Sequence, residues 1–164
     1  MWLSKPIGQR LALALFGASA ALAPFVGRAC DLVLAEHRSG KELLRWPITQ
    51  RPIQFSVSFV HSVLSTPVSD RYEARQVDGQ WKLYLVQETH EGQGYGLPYG
   101  ATADGERYVR TEKGWQLTMN RLVDPLVQLP LPSQSVTLHL PGRSVLLGDL
   151  SVRSILIEVQ DCQP

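Results

Sequence analysis

Apolar residues recur at every second position through most of this chain, and that regularity excludes most folds. From Ile53 to His61, residues Ile53, Phe55, Val57, Phe59 and His61 fall on one side, with Gln54, Ser56, Ser58 and Val60 on the other. Side chains alternate faces along a strand, so this is the signature of a strand with one buried face. His61 falls on the buried side. Shorter segments of the same kind are expected at 31–37, 43–46, 69–77, 80–90, 106–111, 115–120, 135–140, 144–147 and 153–159. Asp78-Gly79 between two of them is a strong signal for a two-residue hairpin. Pro47 is expected to end the second strand, and Asp124-Pro125 and Leu129–Pro132 to be extended linkers. A regular strand over Gln80–His90 puts Glu88 and His90 on the face of Lys82, Tyr84 and Val86. Eleven Pro and thirteen Gly punctuate the chain at strand-like intervals, and no amphipathic helix stands out. The expectation is an all-β fold: a single antiparallel β-sandwich or small barrel-like domain.

Residues 1–29 read as a signal peptide, leaving 30–164 as the domain. Lys5 and Arg10 precede an apolar run from Leu11 to Val26, and small residues follow at Gly27 and Ala29. The run is shorter than the roughly 20 residues that span a bilayer, and Pro24 interrupts it. Cleavage near Ala29 would send the chain to the periplasm or beyond, with Cys30 at its new N-terminus. The residues before Cys30, Gly27-Arg28-Ala29, do not suit a lipoprotein. Cys30 and Cys162 are the only cysteines and are expected to pair, since exported proteins tolerate disulfides and no C-x-x-C spacing suggests a metal. Loss of Lys5, Arg10 and Arg28 from 16 basic and 15 acidic residues leaves a net charge of −2. No basic stripe remains for nucleic acid, and no apolar stretch remains to insert into a membrane.

Chemistry-bearing residues concentrate between His61 and Pro98. His61-Ser62-Val63 is followed by Thr66-Pro67-Val68, then Asp70 and Tyr72. Downstream stand Glu88 and Gly94-Tyr95-Gly96-Leu97-Pro98. These two ordered motifs resemble the domain of unknown function family 1850, whose members are small exported bacterial proteins often encoded beside TAXI-type tripartite ATP-independent periplasmic (TRAP) transporters. Asp70 stands where the family pattern has the longer Glu. The resemblance implies an accessory or binding role rather than a reaction. Its candidate site is His61, Ser62, Thr66, Asp70, Glu88, Gly94, Tyr95 and Gly96. That site would receive a partner protein, such as a TRAP membrane or solute-binding component, or a small polar solute, with no cofactor.

Competing readings carry different expectations. His61, Glu88 and His90 would suit zinc if they converged, making a metal-dependent or hydrolytic enzyme that uses His61 with Glu88. A Ser62–His61 or Ser62–His90 pair with Asp70 would make a hydrolase, but Ser62 and His61 are adjacent and point to opposite strand faces, and no G-x-S-x-G elbow is present. The third reading is a purely structural β-domain in which His61 is a satisfied core residue. Gly92, Gly94 and Gly96 do not make a dinucleotide fingerprint, because Leu97 stands at the third glycine and Pro98 forbids the helix. They are expected to form a wide bend, with Tyr95 and Tyr99 beside a groove that His61 faces. Trp46, Trp81 and Trp115 read as packing residues.

Overall fold

A computed structural model describes residues 30–162, so the leader expected over 1–29 lies outside the described residues. The alternating segments become strands wherever turn residues allow reversal. They are β1 (Cys30–Glu36), β2 (Glu42–Ile48), β3 (Ile53–Val60), β4 (Pro67–Val77), β5 (Gln80–His90), β6 (Arg107–Thr111), β7 (Gly114–Leu122), β8 (Leu126–Gln128), β9 (Thr137–Leu140), β10 (Arg143–Leu146) and β11 (Ile155–Gln160). Short 3-10 turns occupy Pro132–Gln134 and Leu147–Asp149. Among the described residues no helix is long and apolar enough to cross a membrane.

The strands form two antiparallel sheets, one ordered β2-β1-β11-β8 and the other β10-β9-β3-β4-β5-β7-β6. Leu32, Leu34, Ile155 and Ile157 of the smaller sheet pack with Ile53, Phe55, Val57 and Leu138 of the larger in one core. Each such side chain contributes about 1.5–3 kcal/mol relative to exposure. The all-β expectation holds, with two facing sheets rather than a closed barrel. A disulfide joins Cys30 to Cys162, as expected, and ties the first described residue to the last. The bridged Cys30 has no thiol left to carry a lipid.

Two expectations from local pattern fail. Pro47 does not end β2 but lies within it; β2 is a sheet edge, where a missing N–H costs no ladder bond. The expected strands also lack one, because β8 lies between the two linkers and pairs with β11, with Leu126 3% exposed. Three residues are too short to display a period of two.

The third departure positions the site. The Asp78-Gly79 turn starts a regular β4–β5 ladder: Val77 faces Gln80, Ala74 faces Leu83 and Tyr72 faces Leu85. There a bulge intervenes, so that Arg71 faces Gln87 and Val86 is skipped. Unbroken, the ladder would set Asp70 against Gln87; with the bulge Asp70 faces Glu88. Directly opposed residues share a face. Glu88 and His90 therefore lie on the inner face with Tyr72 and Leu85, not on the face of Lys82 and Tyr84 as strict alternation predicts.

Candidate functional site

His61 follows the last residue of β3. Its N–H donates to the Thr66 carbonyl at 2.8 Å and its own carbonyl accepts from Ser65 N–H at 2.9 Å, which closes the 61–66 turn. The ring is committed at both nitrogens. Nδ1 accepts the N–H groups of Val63 and Leu64, each at 3.2 Å. The proton therefore sits on Nε2, which donates to the Tyr95 carbonyl at 3.1 Å. His61 is a buried clamp between two turns, with no lone pair free to act as base or ligand. Among the described residues no hydrogen bond or ion pair joins it to Asp70, Glu88 or His90, and no group of three such residues is placed to hold a metal ion. Ser62 itself is exposed.

The clamped partner is a tight turn rather than a wide bend. Gly94 and Leu97 exchange backbone hydrogen bonds of 3.3 and 3.1 Å, with Tyr95 at φ 54° and Gly96 at φ 102° between them. Two successive positive φ values are those of a type I′ turn, which asks for glycine at its second central position. Gly94 itself stands at φ 84°, a conformation that L side chains rarely adopt, which favours glycine there. Tyr108 on β6 fastens the loop by donating to the Pro98 carbonyl at 3.0 Å and accepting from Gln93 Nε2 at 3.0 Å. The loop thus lies over the inner face of β6 and β7, beyond the smaller sheet's reach. Tyr95 and Tyr99 do not line a groove under His61; they are 73% and 76% exposed.

At the boundary between loop-covered and sheet-covered halves, one row of the inner face reads Val57, Asp70, Glu88, Leu117, Tyr108. Val57 and Leu117 are 0% and 1% exposed, so two carboxyl groups sit opposite each other between buried aliphatic side chains. The Tyr72 hydroxyl donates to Asp70 Oδ2 at 3.3 Å, but Asp70 Oδ1 and Glu88 Oε1 are buried without a protein partner. His90, one row along, donates from Nδ1 to the Gly92 carbonyl. In the neutral ring this leaves an acceptor lone pair on Nε2, also unpartnered, 3.9 Å from Glu88 Oε1. The His90 side chain is wholly buried. Thr66 Oγ1 is a fourth buried atom without a partner, near Gly92 rather than near the acids.

The electrostatics follow from this placement. Burial, and then the charge of Glu88, push the Asp70 carboxyl up to about 7, against a smaller lowering by the Tyr72 hydroxyl. Burial likewise raises Glu88, opposed by His90 and Arg121. Tyr72 is raised by burial and by Asp70. Arg121 does not neutralise the pair: its guanidinium bonds Glu106 Oε1 at 2.7 Å and Thr102 Oγ1 at 3.1 Å. The site can hold a proton on its acids and accept hydrogen bonds from a donor. It offers no activated nucleophile, and among the described residues no group of three His, Cys, Asp or Glu is placed to hold a metal ion.

Sequence reasoning grouped His61, Ser62, Thr66, Asp70, Glu88, Gly94, Tyr95 and Gly96. The structure brings together Asp70 with Glu88, and separately His61 with the Gly94–Gly96 turn. It adds Tyr72, whose two-residue spacing from Asp70 was a readable signal, and gives His90 a place beside Glu88. A residue the sequence did not single out is His139 on the outer face, whose Nε2 and Nδ1 meet Ser58 Oγ at 2.7 Å and Ser144 Oγ at 2.9 Å. Ser58 also borders an open groove of about 560 Å³ with Val68, Ser69, Thr89 and Lys113. That chain crosses three neighbouring strands and ties the sheet edge.

Comparison with curated proteins and with solved structures finds no significant match. The family model described as Domain of unknown function (DUF1850) matches residues 55–147, which contain the His61 clamp, the Asp70–Glu88 pair and the Gly94–Leu97 turn. That span is more than half of the 164 residues, and the chain belongs to this family.

Proposed function

We propose that this chain is an exported, non-enzymatic accessory module of a TAXI-type TRAP transporter, and that it works by binding a small polar solute at Asp70 and Glu88 beside His90. The observation that carries the binding reading is the pair of opposed, buried carboxyl groups with oxygens that no protein group satisfies. A buried polar group left without a partner costs about 1–3 kcal/mol, and more if charged. Like charges directly opposite add to that cost. Such an arrangement is unfavourable for folding alone and becomes favourable when a ligand supplies the donors. The compartment rests on the leader-like sequence and on the disulfide, which suits an oxidising setting. The transporter link rests on the motifs at 61–72 and 88–98.

A second occupant is favoured by a separate observation. Val63 is 58% exposed, and with Tyr95 and Tyr99 it sits on the two turns that His61 locks together. Rigid, exposed aromatic groups of this kind suit docking to a protein component of the transporter. The enzyme reading is not favoured, since His61 spends both nitrogens on backbone. The structural reading fits His61 but not Asp70 and Glu88, whose placement lowers stability.

Deleting the protein from cells that carry the neighbouring transporter tests the accessory role. The reading expects solute uptake to fall and to be restored by wild type but not by Glu88→Gln. Unchanged uptake in the deletion would refute it. Loss of co-purification in Tyr95→Ala, with uptake lost as well, would assign the essential contact to the aromatic surface.

A further inference from the structure

We infer that the Asp70–Glu88–His90 site takes a protonated primary amine, bound through its ammonium head. This rests on the solute-binding reading above and names the class of solute. With Asp70 ionised and His90 neutral, every buried atom left without a partner at the three residues is an acceptor: Asp70 Oδ1, Glu88 Oε1 and His90 Nε2. Among the described residues the side-chain hydroxyl that reaches the acids is that of Tyr72, already spent on Asp70 Oδ2. The site therefore asks for a donor with several hydrogens and a positive charge.

Geometry narrows the choice. Glu88 Oε1 and His90 Nε2 are 3.9 Å apart, too far to bond each other but close enough for one donor atom about 2.9 Å from each to bridge them. Asp70 stands directly across the strand pair from Glu88 and adds a second carboxyl group to the field that a bridging cation meets. An ammonium head carries three N–H donors and a compact charge; water carries two donors and no charge. The site does not have the ligand number of a divalent metal, because no three-residue metal grouping exists among the described residues. Arg121, whose charge acts on Glu88, is held by Glu106 and Thr102.

The walls fit the same class. Buried Val57 and Leu117 close the two ends of the acid row, so the pair lies in an apolar surround where a compact charge is attracted strongly. Tyr108 stacks on Trp115 with centroids 5.0 Å apart and on His90 at 6.0 Å, which fixes the His90 ring beside Glu88. Glu88 keeps 19% of its side chain exposed, which leaves one side of the site open for the carbon chain of the amine.

An amide NMR titration of the oxidised protein at pH 8 tests this, with methylammonium chloride and ammonium chloride as probes. Sodium chloride and tetramethylammonium chloride at matched ionic strength are the controls. The expected result is a saturable shift centred on Asp70, Glu88, His90 and Leu117 with both probes and with neither control. Glu88→Gln and Asp70→Asn, whose own spectra report whether they fold, should weaken it at least about tenfold, the loss of one charge-assisted contact. Equal shifts with sodium chloride would reduce the effect to ionic strength and overturn the inference. Equal shifts with tetramethylammonium, which has no N–H, would overturn it as well. Saturable shifts at these residues with carboxylates or neutral solutes only would sink the amine class while leaving solute binding intact. No saturable shift with any solute would sink both.

Discussion

Replacing Asp70 by Asn should stabilise the folded protein at alkaline pH, and the size of the effect follows from the acid pair. Burial and Glu88 lift Asp70 from 3.8 to about 7. Each factor of ten in proton affinity is about 1.4 kcal/mol, so ionising Asp70 costs about 4 kcal/mol more in the folded chain than in the unfolded one. The sign is fixed by which state holds the proton. Between about pH 4 and pH 7 the unfolded chain has lost it and the folded chain keeps it, so stability falls as pH rises; above pH 7 the loss is complete. Asn cannot ionise, and its side-chain oxygen still accepts from Tyr72. Asp70→Asn should therefore match wild type near pH 4 and exceed it by up to about 4 kcal/mol at pH 8. Urea titrations from pH 4 to 8.5, followed by tryptophan fluorescence with the disulfide intact, measure this. Taking the difference between the two proteins removes groups remote from the pair; Glu88 stays within it, because its charge acts on Asp70 and is part of the effect measured. A variant no more stable than wild type at pH 8, or a gap that widens toward acid, would refute the reasoning.

Two other perturbations probe the frame around the site. His61→Ala removes the clamp on Tyr95 and leaves the N–H groups of Val63 and Leu64 without their acceptor, so stability should fall by about 2–3 kcal/mol, and proteolysis should move to the 92–99 loop. Unaltered melting and cleavage would contradict the clamp. Reducing the Cys30–Cys162 bridge, which spans 132 residues, should cost about 5 kcal/mol on the chain-entropy account, read as a lower melting temperature in thiol reductant.

How much of this was legible in the sequence depended on what each residue needed. β3 and the Asp78-Gly79 hairpin could be read because period two and a two-residue turn are local properties. The opposition of Asp70 and Glu88 could not, since an unbroken ladder sets Asp70 against Gln87 and only the bulge at Val86 shifts it by one. The same bulge moved Glu88 and His90 to the inner face, reversing what alternation implied for every residue beyond it. The motif residues were pooled into one site, and the structure divides them between two places. His61 and Glu88 follow one another in the motif order, yet His61 answers to the Gly94–Leu97 turn, while Glu88 answers to Asp70. Backbone acceptors such as the Tyr95 carbonyl leave no trace in a residue pattern, and so the clamp was invisible.

The claim that the acid pair is a receptor is tested most directly by ligand-induced melting shifts of wild type and Glu88→Gln at pH 8, against amines, amino acids, organic acids and neutral polyols. The account predicts that at least one class raises the wild-type midpoint by several degrees and leaves Glu88→Gln unmoved, because a solute bound only by the native state stabilises it by mass action. Equal shifts in both proteins, or none in either, would contradict it.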